Sequence, residues 1–139
     1  MSVNGWERSF NNIYNKDFIN KGSVEQEIII HKSLNHPNIP VFYNHGRIEQ
    51  VPQWCKVDHF PFIEMEYVDG FNMLYLLQWY NIKKENIPEI IVKAILTQAS
   101  DAIYYLHSKK IIHSDLKPDN FMLSKSGELK LVDLGSAVK

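Results

Sequence analysis

The chain carries one cysteine, Cys55, in 139 residues. A single thiol excludes an internal disulfide framework and fits a reducing compartment. Cys55 itself reads as a small, partly buried side chain. Long apolar runs are also missing. The longest, "EIIVKAIL", is broken by Lys93, so no segment approaches the ~20 apolar residues of a membrane helix. The first residues, "MSVNGWERSF", lack the apolar stretch of a secretory signal. Neither charge sign dominates: 15 Lys and Arg face 16 Asp and Glu, for a net charge of −1. Without a basic field, nucleic-acid binding by bulk electrostatics is not expected. There is no internal repeat and no low-complexity tract. What remains is one soluble globular domain with a modest core, expected inside the cell and in the cytoplasm.

What is present reads as α+β. Residues 10–19, "FNNIYNKDFI", suit a short strand. "SVEQEIIIHKSLNHPNI" reads as a helix opened by a Ser23/Gln26 capping box and stopped by Pro37. "IPVFY" reads as a strand, the stretch from "NHG" to "DHF" as a further strand and a loop, and "PFIEMEYV" as a strand. "FNMLYLLQWY" spaces Met73, Leu76, Leu77 and Tyr80 like a short helix. A long helix should start at Pro88 and run to about His107. Its face of Ile91, Ala94, Ile95, Gln98, Ala99, Ala102, Ile103 and Leu106 is polar only at Gln98. "KIIH" suits a short strand. "FML" and "LKLVD" suit two strands joined through "SKSGE", with Gly127 in the turn. Helix, strands, two helices and a hairpin do not repeat as βαβ units.

The segment "IIHSDLKPDN" is too charged for a core and too interrupted by proline for a helix face. On a loop before a hairpin, its carboxylate Asp115 can converge with Asp133 at the hairpin's end. Phosphoryl transfer needs such a set: a hard cation on the phosphates, an acceptor for the hydroxyl proton, and positive charge near the moving group. Asp133 and Asn120 offer oxygens of the kind Mg²⁺ prefers. Asp115 can act as base or orienting acceptor, and Lys117 can neutralise developing charge. Pro118 stiffens the loop.

"IIHSDLKPDNFML" followed by "LKLVDLGSA" resembles the catalytic and metal-binding loops of eukaryotic-type protein kinases, including the eighteen-residue step from Asp115 to Asp133. "LKP" resembles the serine/threonine-specific members. The resemblance implies a two-lobed kinase-like fold, here one partial domain: residues 1–68 as part of the small lobe to the hinge, and 69–139 as the start of the large lobe. It implies ATP and Mg²⁺ as cofactors, Asp115 and Lys117 as catalytic residues, and Asn120 and Asp133 as metal ligands. Glu27 would order an ATP-binding lysine. Helix spacing independently places Glu27 on one face with Ile30, His31 and Leu34, directed inward. Met65 would be the gatekeeper. The backbone of Glu66 and Val68 would meet the adenine, Asn72 the ribose, and Met122 would sit beneath the base. His113 and Leu134 would join the apolar stack between lobes.

The chain also departs from the family pattern. Before Glu27 the only glycines are Gly5 and Gly22, so no G-x-G-x-x-G loop can be written. Lys16 is the nearest candidate for the ATP lysine, but it stands close to Glu27 and after Asn15. Ser114 replaces the motif's arginine, and His31 replaces an apolar residue. The sequence ends six residues after Asp133, short of the family's activation segment and peptide platform. These departures lead to the expectation of exposed apolar surface on the long helix and of a partner chain covering it. The primary reading is phosphoryl transfer to Ser or Thr of a protein substrate. Two alternatives stand beside it: a kinase-like docking module with little turnover, and a small-molecule kinase.

Overall fold

The computed structural model describes residues 21–50 and 59–139. The expected strand at 10–19, Lys16 and Cys55 lie outside the described residues. The architecture is α+β with small antiparallel sheets. Helix α1 (Lys21–Lys32) leads to strand β1 (Phe42–Ile48), which pairs antiparallel with β2 (Phe60–Met65). Strand β3 (Gly70–Asn72) runs into helix α2 (Met73–Lys83), and helix α3 (Glu89–Ser108) follows. A 3₁₀ turn (Pro118–Asn120) then leads to β4 (Phe121–Ser124) and β5 (Leu129–Leu131). The second sheet has the order β3-β4-β5.

Local chemistry sets the boundaries. Asn72 caps α2, its Oδ1 accepting from the Leu74 amide at 2.6 Å. Lys84 ends α2 in the left-handed region at φ 54°. Gly127, at φ 87°, makes the β4–β5 turn as its sequence position suggests. Three expectations need correction. Helix α1 begins at Lys21, so Ser23 lies inside the helix and is not its cap. The first strand covers 42–48 rather than 39–43 and runs through "NHG". Gly46 is there because the Phe62 ring crosses it: a Cβ would meet that ring at 2.7 Å. "KIIH" contributes only a single bridge, Ile112 to Val138.

The core is built from Ile30, Ile39, Ala102, Leu106, Ile111, Leu131, Leu134 and Ala137. It joins the end of α1, the last turns of α3 and strand β5. Helix α3 buries Ala102 and Leu106, while Ile91, Ile95, Ala99 and Ile103 are half-buried and Ala94 is exposed. The predicted face therefore packs most tightly at its C-terminal end. Ile90, Leu96 and Tyr104 of the same helix are exposed.

Candidate active site

The loop after α3 is held by its own polar residues. His113 is buried, and its Nε2 donates to the Asp133 carbonyl. Its Nδ1 accepts from the Asp115 amide at 3.3 Å. That arrangement requires the neutral Nε2–H tautomer. His113 thereby ties the start of the loop to the end of the hairpin and fixes the approach of Asp115 to Asp133. Ser114, between the two, adopts φ 67°. Leu134, the residue after Asp133, is buried in the core.

Asp115 and Lys117 form an ion pair of 3.0 Å. The Lys117 hydrogen bond is the main cause that holds the Asp115 carboxyl below its ordinary range, and the same bond raises the Lys117 ammonium. Asn120 is buried, and its Nδ2 donates to the Asp115 carbonyl at 2.7 Å and to Asp115 Oδ2 at 3.4 Å. Its backbone carbonyl accepts from the Val132 amide at 2.9 Å. Asp115, Lys117 and Asn120 are thus one cluster, stitched to the residue before Asp133.

Asp133 is exposed, and its Oδ1 accepts from the Gly135 amide at 2.9 Å. Glu27 is buried on α1, as its helix face predicts. The two carboxylates approach each other beside Gly135, where a Cβ would lie 3.2 Å from Asp133 Oδ1 and 3.5 Å from Glu27 Oε2. Burial first, and the Asp133 charge second, push the Glu27 carboxyl from the ordinary 4.5 to about 7. Among the described residues, no lysine or arginine pairs with Glu27.

Oxygen donors meet here, and the Asp133 charge disfavours ionisation of the buried Glu27 carboxyl. A cation fits such a place. Among the described residues no three His, Cys, Asp or Glu side chains gather to hold a metal alone. An ion held by Asp133 and Asn120 would therefore lean on water and ligand oxygens, as Mg²⁺ commonly does.

The residues expected around an adenine lie on β2, β3 and β4 and in the segment between β2 and β3. Met65 ends β2 opposite Phe42. Val68 is buried. Asn72 pairs with Met122 across β3 and β4, and its Nδ2 donates to the Asp119 carbonyl at 2.9 Å. These contacts bring Asn72, Met122 and the Asp115 loop together. The amide of Asn72 is thus partly committed to structure, through the α2 cap and the Asp119 bond. A cleft of about 300 Å³ lies between the Glu66–Asp69 segment and the Ser124–Glu128 turn, and neither Asp115 nor Asp133 lines it.

Sequence reading missed three structural partners. The Glu66 side chain meets the ammonium of Lys130 at 2.8 Å and accepts from the Val41 amide at 3.0 Å. His31 is buried, with Nε2 donating to the Pro40 carbonyl at 2.7 Å and its ring edge-on to Phe42. Burial lowers the His31 pKa. Asn38 is buried against Gln98 and Leu129. The only available signal was Gln98, the single polar residue on an apolar face.

This loop, tied to a hairpin that leads to a carboxylate, stands on a mixed helix-and-strand fold of the kinase-like type. The family profile described as "Protein kinase domain" matches residues 11–139. The chain belongs to the protein kinase domain family. Over 119 residues it is 35% identical to serine/threonine-protein kinase RUNKEL of Arabidopsis thaliana, covering 86% of this chain and 8% of that protein. It is 33% identical to the inactive serine/threonine-protein kinase PLK5 of Mus musculus, covering 86% of this chain and 18% of that protein. Aurora kinase B of Danio rerio is 35% identical over 115 residues, or 83% of this chain and 32% of that protein. The chain thus spans a third or less of the length of these relatives and resembles serine/threonine kinases.

Proposed function

We propose that this chain carries the phosphoryl-transfer site of a serine/threonine protein kinase, with ATP and Mg²⁺ as cofactors and a protein hydroxyl as acceptor. The observation that supports it best is the Asp115–Lys117–Asn120 cluster, tied through His113 and Val132 to Asp133. In this reading residues 1–68 belong to the small lobe and hinge, and 69–139 begin the large lobe.

The roles follow from the chemistry. Asp115, held ionised by Lys117, would orient the acceptor hydroxyl and take its proton as the acceptor O–Pγ bond forms and the β–γ bridging O–Pγ bond breaks, with ADP leaving. Lys117 lies 3.0 Å from Asp115 and neutralises charge on the transferring group. Asn120 Oδ1, not used in the bonds to Asp115, and the Asp133 carboxylate would hold Mg²⁺. Bound Mg·ATP supplies the phosphoryl group and a hard cation on its oxygens. Met65, the backbone of Glu66 and Val68, and Met122 would enclose the adenine. Asn72 would reach the ribose with the hydrogen-bonding capacity left after its cap.

A second reading is a docking module with little turnover. It is favoured by a Glu27 that has no cationic partner among the described residues and by the uncovered apolar side chains of α3. A partner chain would cover those side chains. The two readings separate in a transfer assay with γ-labelled ATP, Mg²⁺ and a mixture of serine- and threonine-containing proteins. The kinase reading expects label on protein from the wild type and its loss in Asp115→Asn. Absence of label from a folded wild type that binds ATP would favour the docking module.

A further inference from the structure

Strand β5 is the edge of its sheet. Its neighbour β4 covers one side only. An uncovered edge presents amide and carbonyl groups that need partners. Here, among the described residues, the partners are two side chains and one backbone carbonyl rather than another strand. The Leu129 amide donates to Gln98 Oε1 at 2.8 Å. The Leu129 carbonyl accepts from Asn38 Nδ2 at 2.8 Å. The Leu131 amide donates to the Asn38 carbonyl at 2.8 Å.

The two side chains also hold each other. Asn38 Nδ2 donates to Gln98 Oε1 at 3.0 Å. Gln98 Nε2 donates to the Gly127 carbonyl at 3.0 Å and to the Ala94 carbonyl at 3.3 Å. Every donor and acceptor site that Gln98 can direct toward the hairpin is in use. This accounts for a polar residue on the apolar face of α3.

We infer that Asn38 and Gln98 are positioning residues for Asp133. They act as a surrogate strand that clamps the outer edge of β5 to α3 and to the segment after α1. The clamp ends at Leu131, two residues before Asp133. The next amide, Val132, is bonded to the carbonyl of Asn120. The clamp therefore sets the hairpin that carries both candidate metal ligands. Asn38 lies in the connection that follows α1, so the clamp also joins the helix bearing Glu27 to the strand that leads to Asp133. The inference rests on the kinase reading only in giving the placement of Asp133 its importance.

The test compares Gln98→Met, which removes all four Gln98 bonds with a helix-compatible side chain of similar length, with Gln98→Glu. The latter keeps an acceptor for Leu129 and Asn38. Amide hydrogen exchange on the full chain reads the clamp directly and needs no nucleotide. In Gln98→Met, exchange at Leu129 and Leu131 should quicken about tenfold, the worth of roughly one hydrogen bond, with Ala102 and Leu106 unchanged. Gln98→Glu should recover most of that protection. An unchanged Leu129 amide, or equal acceleration at Ala102 and Leu106, would overturn the clamp. The second readout is ATP affinity with and without Mg²⁺. Gln98→Met should lower the Mg²⁺-dependent gain about tenfold and leave Mg²⁺-free affinity within about twofold. Equal losses in both conditions would reduce Gln98 to a structural residue. A wild type that binds no Mg·ATP would defeat the kinase reading, while the exchange rates still decide the clamp.

Discussion

Removing Lys130 should destabilise the chain more than removing Lys130 and Glu66 together. The Lys130 side chain is 9% exposed and that of Glu66 26%, with an N–O distance of 2.8 Å. Burial raises the Glu66 carboxyl, but the hydrogen bonds from Lys130 and the Val41 amide outweigh it and hold the group below its ordinary range. Lys130→Met leaves that carboxylate with the Val41 amide alone. Breaking a buried ion pair from one side costs about 3–5 kcal/mol, and the partial exposure of Glu66 lets water recover some of it, so about 3 kcal/mol is expected. Lys130→Met with Glu66→Gln keeps an oxygen for the Val41 amide and leaves no unpaired charge. Its cost should be within about 1 kcal/mol of wild type. Urea denaturation at pH 7 measures both. The pH dependence provides a sign check. Glu66 in wild type has a depressed pKa, so its contribution is present above the unfolded value of 4.5 and is lost as pH falls through the folded value. In Lys130→Met burial dominates, and stability should instead improve as pH falls toward that range. A single variant costing less than ~1 kcal/mol, or a double variant as costly as both singles combined, would refute the reasoning.

Three further outcomes are expected. Glu27 has a folded pKa of about 7 against the ordinary 4.5, so the folded state keeps a proton that the unfolded chain releases; in Mg²⁺-free buffer, stability should fall by roughly 3 kcal/mol as pH rises between those values. Glu27→Gln should flatten that slope in denaturation curves taken across the window. Leu106, 1% exposed at the centre of the core, should cost about 3 kcal/mol when changed to Ala, read as a lower urea midpoint with unchanged slope. Asp115→Asn should lower phosphotransfer at least about 100-fold while ATP affinity stays within about threefold, measured by label transfer and calorimetry.

Much of this arrangement is legible in the sequence because it depends on local spacing. The 3.6-residue period gives α3, and the inward direction of Glu27 follows from its place relative to Ile30 and Leu34. The fixed spacing of Asp115, Lys117, Asn120 and Asp133 gives the cluster. The remainder depends on contacts between distant residues. Gly46 carries no local mark of its role, which the Phe62 ring on the paired strand explains. Glu66 and Lys130 lie far apart in sequence and carry no periodic mark. Gln98 stood out as polar on an apolar stripe, but its partners sit in the α1–β1 connection and the β4–β5 hairpin. The start of α1 ahead of Ser23 shows that a capping pattern can occur inside a helix.

The most direct test of the central claim is calorimetric titration of the folded chain with ATP, with and without Mg²⁺, beside Asp133→Ala. The kinase reading predicts binding that is strengthened by Mg²⁺, and loss of that strengthening in Asp133→Ala. A folded chain that binds no ATP, or binds it identically with Mg²⁺ and without Asp133, would contradict it.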